Sequence, residues 1–316
     1  MTAAYDCIIV GGGPAGLSAA LMLGRCRRRV LLYDAGEQRN ARSRGIHGYL
    51  TRDGTPPAEF LRLAHAELDG YESVERREGT IREATRAPGG FALVAADGSE
   101  FFARKLLLAT GVADEIPELE GLDPLYGKSV HHCPYCDAWE WRDQPVAVYG
   151  RGEAASGLAL ALHWWSPDVV LCSDGPSELS REHLDRLADA GIAVCEEPVA
   201  RLEGAEGYLE RVVLARGDAL ERRALFFSSA QRQRCDLAER LGCRFSEKGV
   251  VETGTCEATN VPGLYVAGDA SKEAQFVVVA AAEGSEAGMA IHKALLAEGL
   301  RDAREPDHRR PAAVAP

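Results

Sequence analysis

Two strand–turn–helix–strand units, each opening on a glycine-rich turn, and a buried strand ending on Gly268-Asp269 predict an α/β protein. The class is a pair of Rossmann-like (three-layer ββα) dinucleotide-binding domains, one inserted in the other. A chain of 316 residues with 46 % hydrophobic content is long and apolar enough to bury two such cores.

The elements follow in order. Asp6–Val10 is strand-like and runs into Gly11-Gly12-Gly13-Pro14-Ala15-Gly16, then an Ala/Leu-rich helical pattern to about Gly24. Val30–Tyr33 is the second strand, ending on Asp34, which completes a βαβ unit. The stretch from Gly36 to Pro57, rich in Arg, Gly, Asn and Pro and holding His47 and Tyr49, reads as a long functional loop before a helix at 58–68. Phe91–Val94 and Phe101–Ala103 flank the turn Ala96–Ser99, a hairpin signal. Lys105–Leu108 is then a buried strand entering the turn Ala109-Thr110-Gly111, and Asp114–Pro124 reads as a linker. The second βαβ unit runs from Pro145–Tyr149 through Gly150-Arg151-Gly152-Glu153-Ala154-Ala155 and a helix to about Trp165, and then to Val169–Cys172. Mixed structure continues to about Arg244. Val261–Asp269 is a strand, 276–297 a closing helix, and the Pro- and charge-rich tail from Arg301 reads as frayed.

Gly11, Gly13 and Gly16 form G-x-G-x-x-G between strand and helix, with Pro14 and Ala15 inside it. Glycine permits the tight turn and lets backbone N–H groups and the helix N-terminus meet a pyrophosphate. Asp34, 18 residues after Gly16, is placed to accept ribose hydroxyls. This spacing in this context is a strong dinucleotide signal.

Cys133-Pro134-Tyr135-Cys136 follows directly on His131-His132 and precedes Asp137. Among nine scattered cysteines only this pair has redox-motif spacing; Cys7, Cys26, Cys172, Cys195, Cys235, Cys243 and Cys256 read as small buried apolar residues. A helix N-terminus aimed at the pair would stabilise thiolate, and His131, His132 and Asp137 could each move a proton. In extended backbone the two histidines face opposite ways, so at most one of them faces the pair, and each alone suits a structural role as well as a functional one. A zinc site of Cys133, Cys136 and a histidine is the alternative, but no second C-x-x-C or H-x-x-x-H completes it.

The net charge of −12 argues against a nucleic-acid surface, and the one basic run, Arg25–Arg29, suits a helix C-terminus. No apolar run reaches the ~20 residues that cross a bilayer. The first residues carry no signal-peptide pattern, so the expectation is a cytoplasmic protein without membrane or nucleic-acid partners. Trp164 and Trp165 suit either a dimer face or the core.

In order along the chain, Gly11–Gly16, Leu107–Gly111, Cys133–Cys136 with Asp137, Gly150/Gly152 and Gly268-Asp269 resemble the low-molecular-weight thioredoxin reductases. The resemblance spans essentially the whole chain. It implies an FAD domain from residues 1–113 plus 246–316 and a central NAD(P)H-type domain, 114–245, that carries the dithiol. It implies that Cys136 faces the flavin, Cys133 attacks the partner and Asp137 transfers a proton. It also implies that Asp269 binds the ribityl–pyrophosphate region, with Thr110, Gly111, Gly268, Gln275 and Phe276 among the flavin contacts, and that the enzyme is a homodimer.

The departures point to a branch. Where NADPH-using relatives carry a His-Arg-Arg cluster, this chain reads Ser173-Asp174-Gly175-Pro176, and Asp174 would repel a 2′-phosphate. NADH remains compatible. Ala274-Gln275 stands where the reductases have Arg-Gln, and Ala155 replaces the third glycine of the second loop. Cys-Pro-Tyr-Cys, Tyr33-Asp34-Ala35-Gly36 with Arg39-Asn40, and Ser173-Asp174-Gly175 resemble the FAD-dependent dithiol oxidases of the gliotoxin, holomycin and romidepsin type, several of which carry His where Asp137 stands. That resemblance implies oxidation of a small-molecule dithiol with O₂ as acceptor, with Arg39 and Asn40 at the cofactor. The competing readings are a reductase of a thioredoxin-like protein, and a flavin- or metal-binding module without turnover.

Overall fold

The computed structural model describes residues 4–302; the tail read as frayed lies outside the described residues beyond 302. The chain begins with β1 (Ala4–Val10), α1 (Pro14–Arg25), β2 (Val30–Asp34), α2 (Pro57–Leu68), β3 (Val74–Glu78), β4 (Ile81–Ala87), β5 (Gly90–Ala95) and β6 (Glu100–Leu108). Next come β7 (Val112–Asp114), β8 (Val130–His131), α3 (Pro134–Asp137), β9 (Val146–Tyr149), α4 (Gly152–Leu162), β10 (Val169–Cys172), α5 (Arg181–Asp189) and β11 (Ala193–Cys195). The chain continues with β12 (Val199–Ala205), β13 (Tyr208–Leu214), β14 (Ala219–Glu221), β15 (Ala224–Phe227), β16 (Gln231–Gln233) and α6 (Leu237–Arg240). It closes with β17 (Leu264–Val266) and α7 (Val277–Asp302).

By contacts the described residues form two compact units, one of residues up to Glu37, Leu63–Gly111 and from Gln233 on, the other of Gln38–Arg62 and Val112–Arg232. The insertion therefore begins at 112 and ends at 232, and the long loop goes with the inserted unit rather than with its sequence neighbours. Side-chain ties explain the loop's allegiance. Arg39 pairs with Asp114, Arg42 with Asp123, and the Arg44 guanidinium lies 4.1 Å from the Tyr208 ring centroid.

In the first unit the sheet order is β3-β2-β1-β6-β5-β4, with β17 also on β6. β6 is one nine-residue strand where two were expected, because it pairs with β1 along its length, with β5 over its first half and with β17 over Leu106–Leu108. Period-two alternation sends Ile8, Val10, Leu31, Tyr33, Leu106, Leu108, Leu264 and Val266 to one face, where they join Ile81, Phe91, Leu93 and Phe101. Helices α1 and α7 pack on each other. This is the three-layer ββα arrangement.

The second unit has a parallel sheet, β11-β10-β9-β15-β8, and an antiparallel ribbon, β12-β13-β14. Continuous burial of Val146–Val148, Val169–Cys172 and Ala224–Phe227 marks strands covered on both faces. Several boundaries move: β1 begins at Ala4, α4 ends at Leu162, β17 covers only Leu264–Val266, and α7 continues to Asp302. Four cysteines read as buried, Cys26, Cys195, Cys235 and Cys256, are half-buried; Cys7, Cys172 and Cys243 are buried. The four sit at helix ends, strand ends or loops, where covering layers are thinner.

Candidate active site

Cys133 and Cys136 form a disulfide with Cα atoms 5.3 Å apart. Cys133 is the N-cap of α3, a single turn started by Pro134, whose fixed φ and missing N–H suit the first helical position. The pair therefore sits on a tight helical turn at the end of β8. Tyr135, between the cysteines, is 70 % exposed and lies edge-on to Trp165, with ring centroids 5.9 Å apart. Trp139 and Trp164 are exposed, while Trp165 is half-buried.

The two histidines do face opposite ways. His131 is buried; the Trp141 indole N–H donates to its Nε2 at 3.0 Å, and its Nδ1 lies 3.4 Å from Asp137 Oδ1. An indole can only donate, so Nε2 accepts and the ring proton is on Nδ1, facing Asp137. His132 sits on the other side, with Nδ1 3.1 Å from the Tyr126 hydroxyl and Nε2 3.3 Å from an Arg39 guanidinium nitrogen. A guanidinium also only donates, so Nε2 of His132 accepts and Nδ1 carries its proton. Burial pushes His132 below the ordinary imidazole range and Tyr126 up to about 12. Each imidazole has one ring nitrogen held by a donor, and the Asp137 carboxylate follows Cys136 directly, with Oδ1 3.4 Å from His131 Nδ1.

Behind His132, Arg39 holds Asp114 through Nε at 2.7 Å and a terminal nitrogen at 2.6 Å, and Asp114 is almost fully buried. Burial works to raise the Asp114 carboxyl, but the Arg39 bonds and His132 outweigh it and hold it below the usual range. Arg39, read as a cofactor contact, is thus fastened inside the second unit. Asn40 lies in the adjoining turn, where its carbonyl accepts the Ser43 amide. Sequence reasoning missed Trp141, Tyr126 and Asp114, because no spacing rule links them to the cysteines.

In the first unit the glycine motif has the geometry its pattern implies. Gly11 has φ +110°, and a Cβ there would land on the Ala109 carbonyl; one on Gly16 would land on the Gly11 carbonyl. A Cβ on Gly13 would meet nothing within 4 Å. α1 starts from Gly13 and Pro14 with no side-chain cap, so its N-terminal turn, with Ala15 and Gly16 behind it, is open to an anion. Asp34 ends β2 and accepts the Gly12 amide through Oδ1 at 2.9 Å. Thr110 and Gly111 follow β6. Gly268 and Asp269 follow β17, and buried Glu283 of α7 accepts the Gly268 amide at 2.7 Å. Burial pushes Glu283 up to about 7. Gln275 and Phe276 lead into α7, the Phe276 carbonyl accepting the Ala280 amide.

The second glycine turn is built differently. The Gly152 amide at the start of α4 donates to the Ser177 carbonyl at 2.8 Å. Asp174 is spoken for on both oxygens: Oδ1 accepts the Val199 amide at 2.9 Å and Oδ2 the Tyr149 hydroxyl at 2.9 Å. Arg151 donates to the Asp174 carbonyl. The 173–177 loop thus folds its own backbone onto the turn where a dinucleotide's phosphates and ribose would be read. Among the described residues no group of three or more His, Cys, Asp or Glu is arranged to hold a metal ion, and no helix is long and apolar enough to cross a membrane.

Comparison with known proteins gives a consistent result. The profile of the pyridine nucleotide-disulphide oxidoreductases matches residues 5–284. Thioredoxin reductase aclD of Aspergillus oryzae is 30 % identical over 299 residues, 91 % of this chain and 95 % of that one. The crystal structure of HlmI superposes with TM-score 0.91 at 34 % identity, covering 96 % of each chain. An oxidoreductase from Agrobacterium tumefaciens gives TM-score 0.86 at 34 % identity, covering 94 % of this chain and 99 % of that one.

Proposed function

From the premise that this chain belongs to the pyridine nucleotide-disulphide oxidoreductase family, we propose that it is an FAD-dependent enzyme that oxidises a small-molecule dithiol to a disulfide, with O₂ as acceptor. The family's cofactors are a flavin and a pyridine nucleotide. The observation that carries the narrower reading is the second glycine turn, where Ser177, Asp174 and Arg151 take up the groups that would read a nicotinamide cofactor. On this reading the electrons arrive from a thiol.

The residues of the first unit fit FAD. Uncapped α1 with Gly13 offers backbone N–H groups to a pyrophosphate, and Asp34 stands where ribose hydroxyls are accepted. Gly268, which packs close to Ala15 of that turn, supports extending the site to Gly268 and Asp269, with Thr110, Gly111, Gln275 and Phe276 as further proposed contacts. Bound FAD supplies a two-electron sink that O₂ reoxidises.

The chain's own chemistry is thiol–disulfide exchange. One substrate thiolate attacks Sγ of Cys133, the Cys133–Cys136 bond breaks, and the electron pair leaves on Cys136. The second substrate thiolate attacks the mixed disulfide, the product disulfide departs, and Cys133 is left reduced. The substrate has lost two electrons and two protons, and the cysteine pair has gained the two electrons. Asp137 takes the substrate thiol proton, and His131 behind it presents Nδ1–H to its carboxylate.

One observation favours a second reading, a reductase of a protein disulfide. Tyr135 and Trp139 are 70 % and 63 % exposed beside the pair, a face that a thioredoxin-like partner could cover. Anaerobic reduction of the purified protein separates the two. Bleaching of the flavin's visible absorbance by a small dithiol, reversed by air, supports the oxidase. Fast bleaching by NADH or NADPH overturns it in favour of the reductase.

A further inference from the structure

Trp141 has no place in the scheme above, yet it makes the shortest polar contact to His131. Its ring lies 6.2 Å from the imidazole centroid, and Phe226 covers the imidazole at 5.3 Å. His131 is 5 % exposed, so water does not compete for its nitrogens. The tautomer is consequently decided by protein partners alone. A donor-only indole at Nε2 leaves one neutral form that satisfies both contacts, the one with its proton on Nδ1 toward Asp137.

We propose that Trp141 is a positioning residue of the dithiol centre, locking His131 in the Nδ1–H form so that His131 supports the Asp137 carboxylate beside Cys133 and Cys136. The inference rests on the reading of Asp137 as the proton acceptor for this pair. Without the indole donor, nothing holds the Nε2 lone pair, and the ring is free to turn its Nδ1–H away from Asp137. A carboxylate that has lost the N–H facing it is less favoured in its charged, proton-accepting form. Other charged or titratable groups around the centre are His132 and Tyr126, which both sense Asp137, the Arg39–Asp114 pair behind His132, Glu140 beside His47, and the two cysteines. None of these groups hydrogen-bonds to the indole, which Trp141→Phe replaces with a smaller ring that has no N–H.

Two measurements on the flavin-loaded protein test this. Nitrogen-15 NMR of labelled histidine should show His131 protonated on Nδ1 alone in the wild type, and in Trp141→Phe an Nε2–H signal should appear beside it. In the same variant dithiol-driven bleaching on the acid side of the pH profile should fall several-fold, while the alkaline plateau is kept. Wild-type His131 protonated on Nε2, or a Trp141→Phe profile that overlays the wild type, overturns the proposal. The wild-type tautomer is informative even where the variant does not fold. Where no dithiol bleaches the flavin, the functional reading above fails by itself. Labelling of the reduced cysteines with iodoacetamide across pH then decides the role of Trp141, which is overturned by identical profiles in wild type and variant.

Discussion

Asp174 accepts the Val199 backbone amide through Oδ1 at 2.9 Å, and the same carboxylate takes the Tyr149 hydroxyl through Oδ2. An acid at the end of a second βαβ strand is ordinarily available to a ribose; here it ties the end of β10 to the start of β12. Burial and the Asp174 contact push the Tyr149 phenol up to about 12, so it remains a donor at every working pH. Asp174→Ala is expected to lower the unfolding free energy by about 1–2 kcal/mol, since it leaves the Val199 amide and the Tyr149 hydroxyl without their acceptor. It is not expected to create nicotinamide binding. Denaturant titration and cofactor titration read the two parts separately.

Arg39→Ala takes from Asp114, a carboxylate 4 % exposed, the cation that grips it at two points, and leaves it the weaker Gln231 and Ser229 contacts. Removing one partner of such a pair costs about 3–5 kcal/mol. Arg39→Lys should recover only part of that, because an ammonium cannot reproduce the fork. The check is chemical denaturation of both variants, with limited proteolysis of the 38–62 loop as a local probe.

Gly16→Ala forces a Cβ onto the Gly11 carbonyl inside the first glycine turn. The expected result is a colourless or weakly coloured protein, with a stability loss of about 1–3 kcal/mol from overpacking. A variant that keeps full flavin occupancy would contradict the assignment of this turn to the cofactor. Cys136→Ser tests the other site: it should leave Cys133 able to form a stable mixed disulfide with product disulfide, detected by intact mass.

Two buried groups give opposite pH signatures. Glu283 has a folded pKa raised to about 7, so its contribution is fully present below the unfolded value near 4.5 and is lost as pH rises through 7. Glu283→Gln keeps an acceptor for the Gly268 amide and should melt higher than the wild type at pH 8 but not at pH 5. His132 has a folded pKa depressed by burial, so its contribution is present above the unfolded value near 6.5 and is lost as pH falls below it. His132→Gln should therefore flatten the wild type's loss of stability on acidification below pH 6.5. Thermal melts across pH separate the two.

Much of this site could be read along the chain. The Gly11–Gly16 turn, the acid ending β2 and the Cys133–Cys136 turn are local patterns, set by backbone sterics over a few residues. The opposite facing of His131 and His132 also follows from strand alternation. Strand β6 could not be divided correctly from its own residues, since its single span depends on three different neighbours. The short strands β3 and β4 carry weak patterns, half-exposed in β3 and one buried residue in three in β4, and they are held by pairing rather than by hydrophobic periodicity.

By itself, the sequence determined that the protein is a two-unit α/β oxidoreductase with a dithiol on a helical turn, because glycine spacing, strand alternation and C-x-x-C geometry act over short range. Only the tertiary structure decided which partners His131 and His132 meet and what closes the second glycine turn. Arg39 meets Asp114 across 75 positions, and Asp174 meets Val199 across 25. Such pairings depend on where folded elements bring side chains together in low-dielectric surroundings, where each buried donor must find an acceptor. A local pattern of residue types does not encode that outcome.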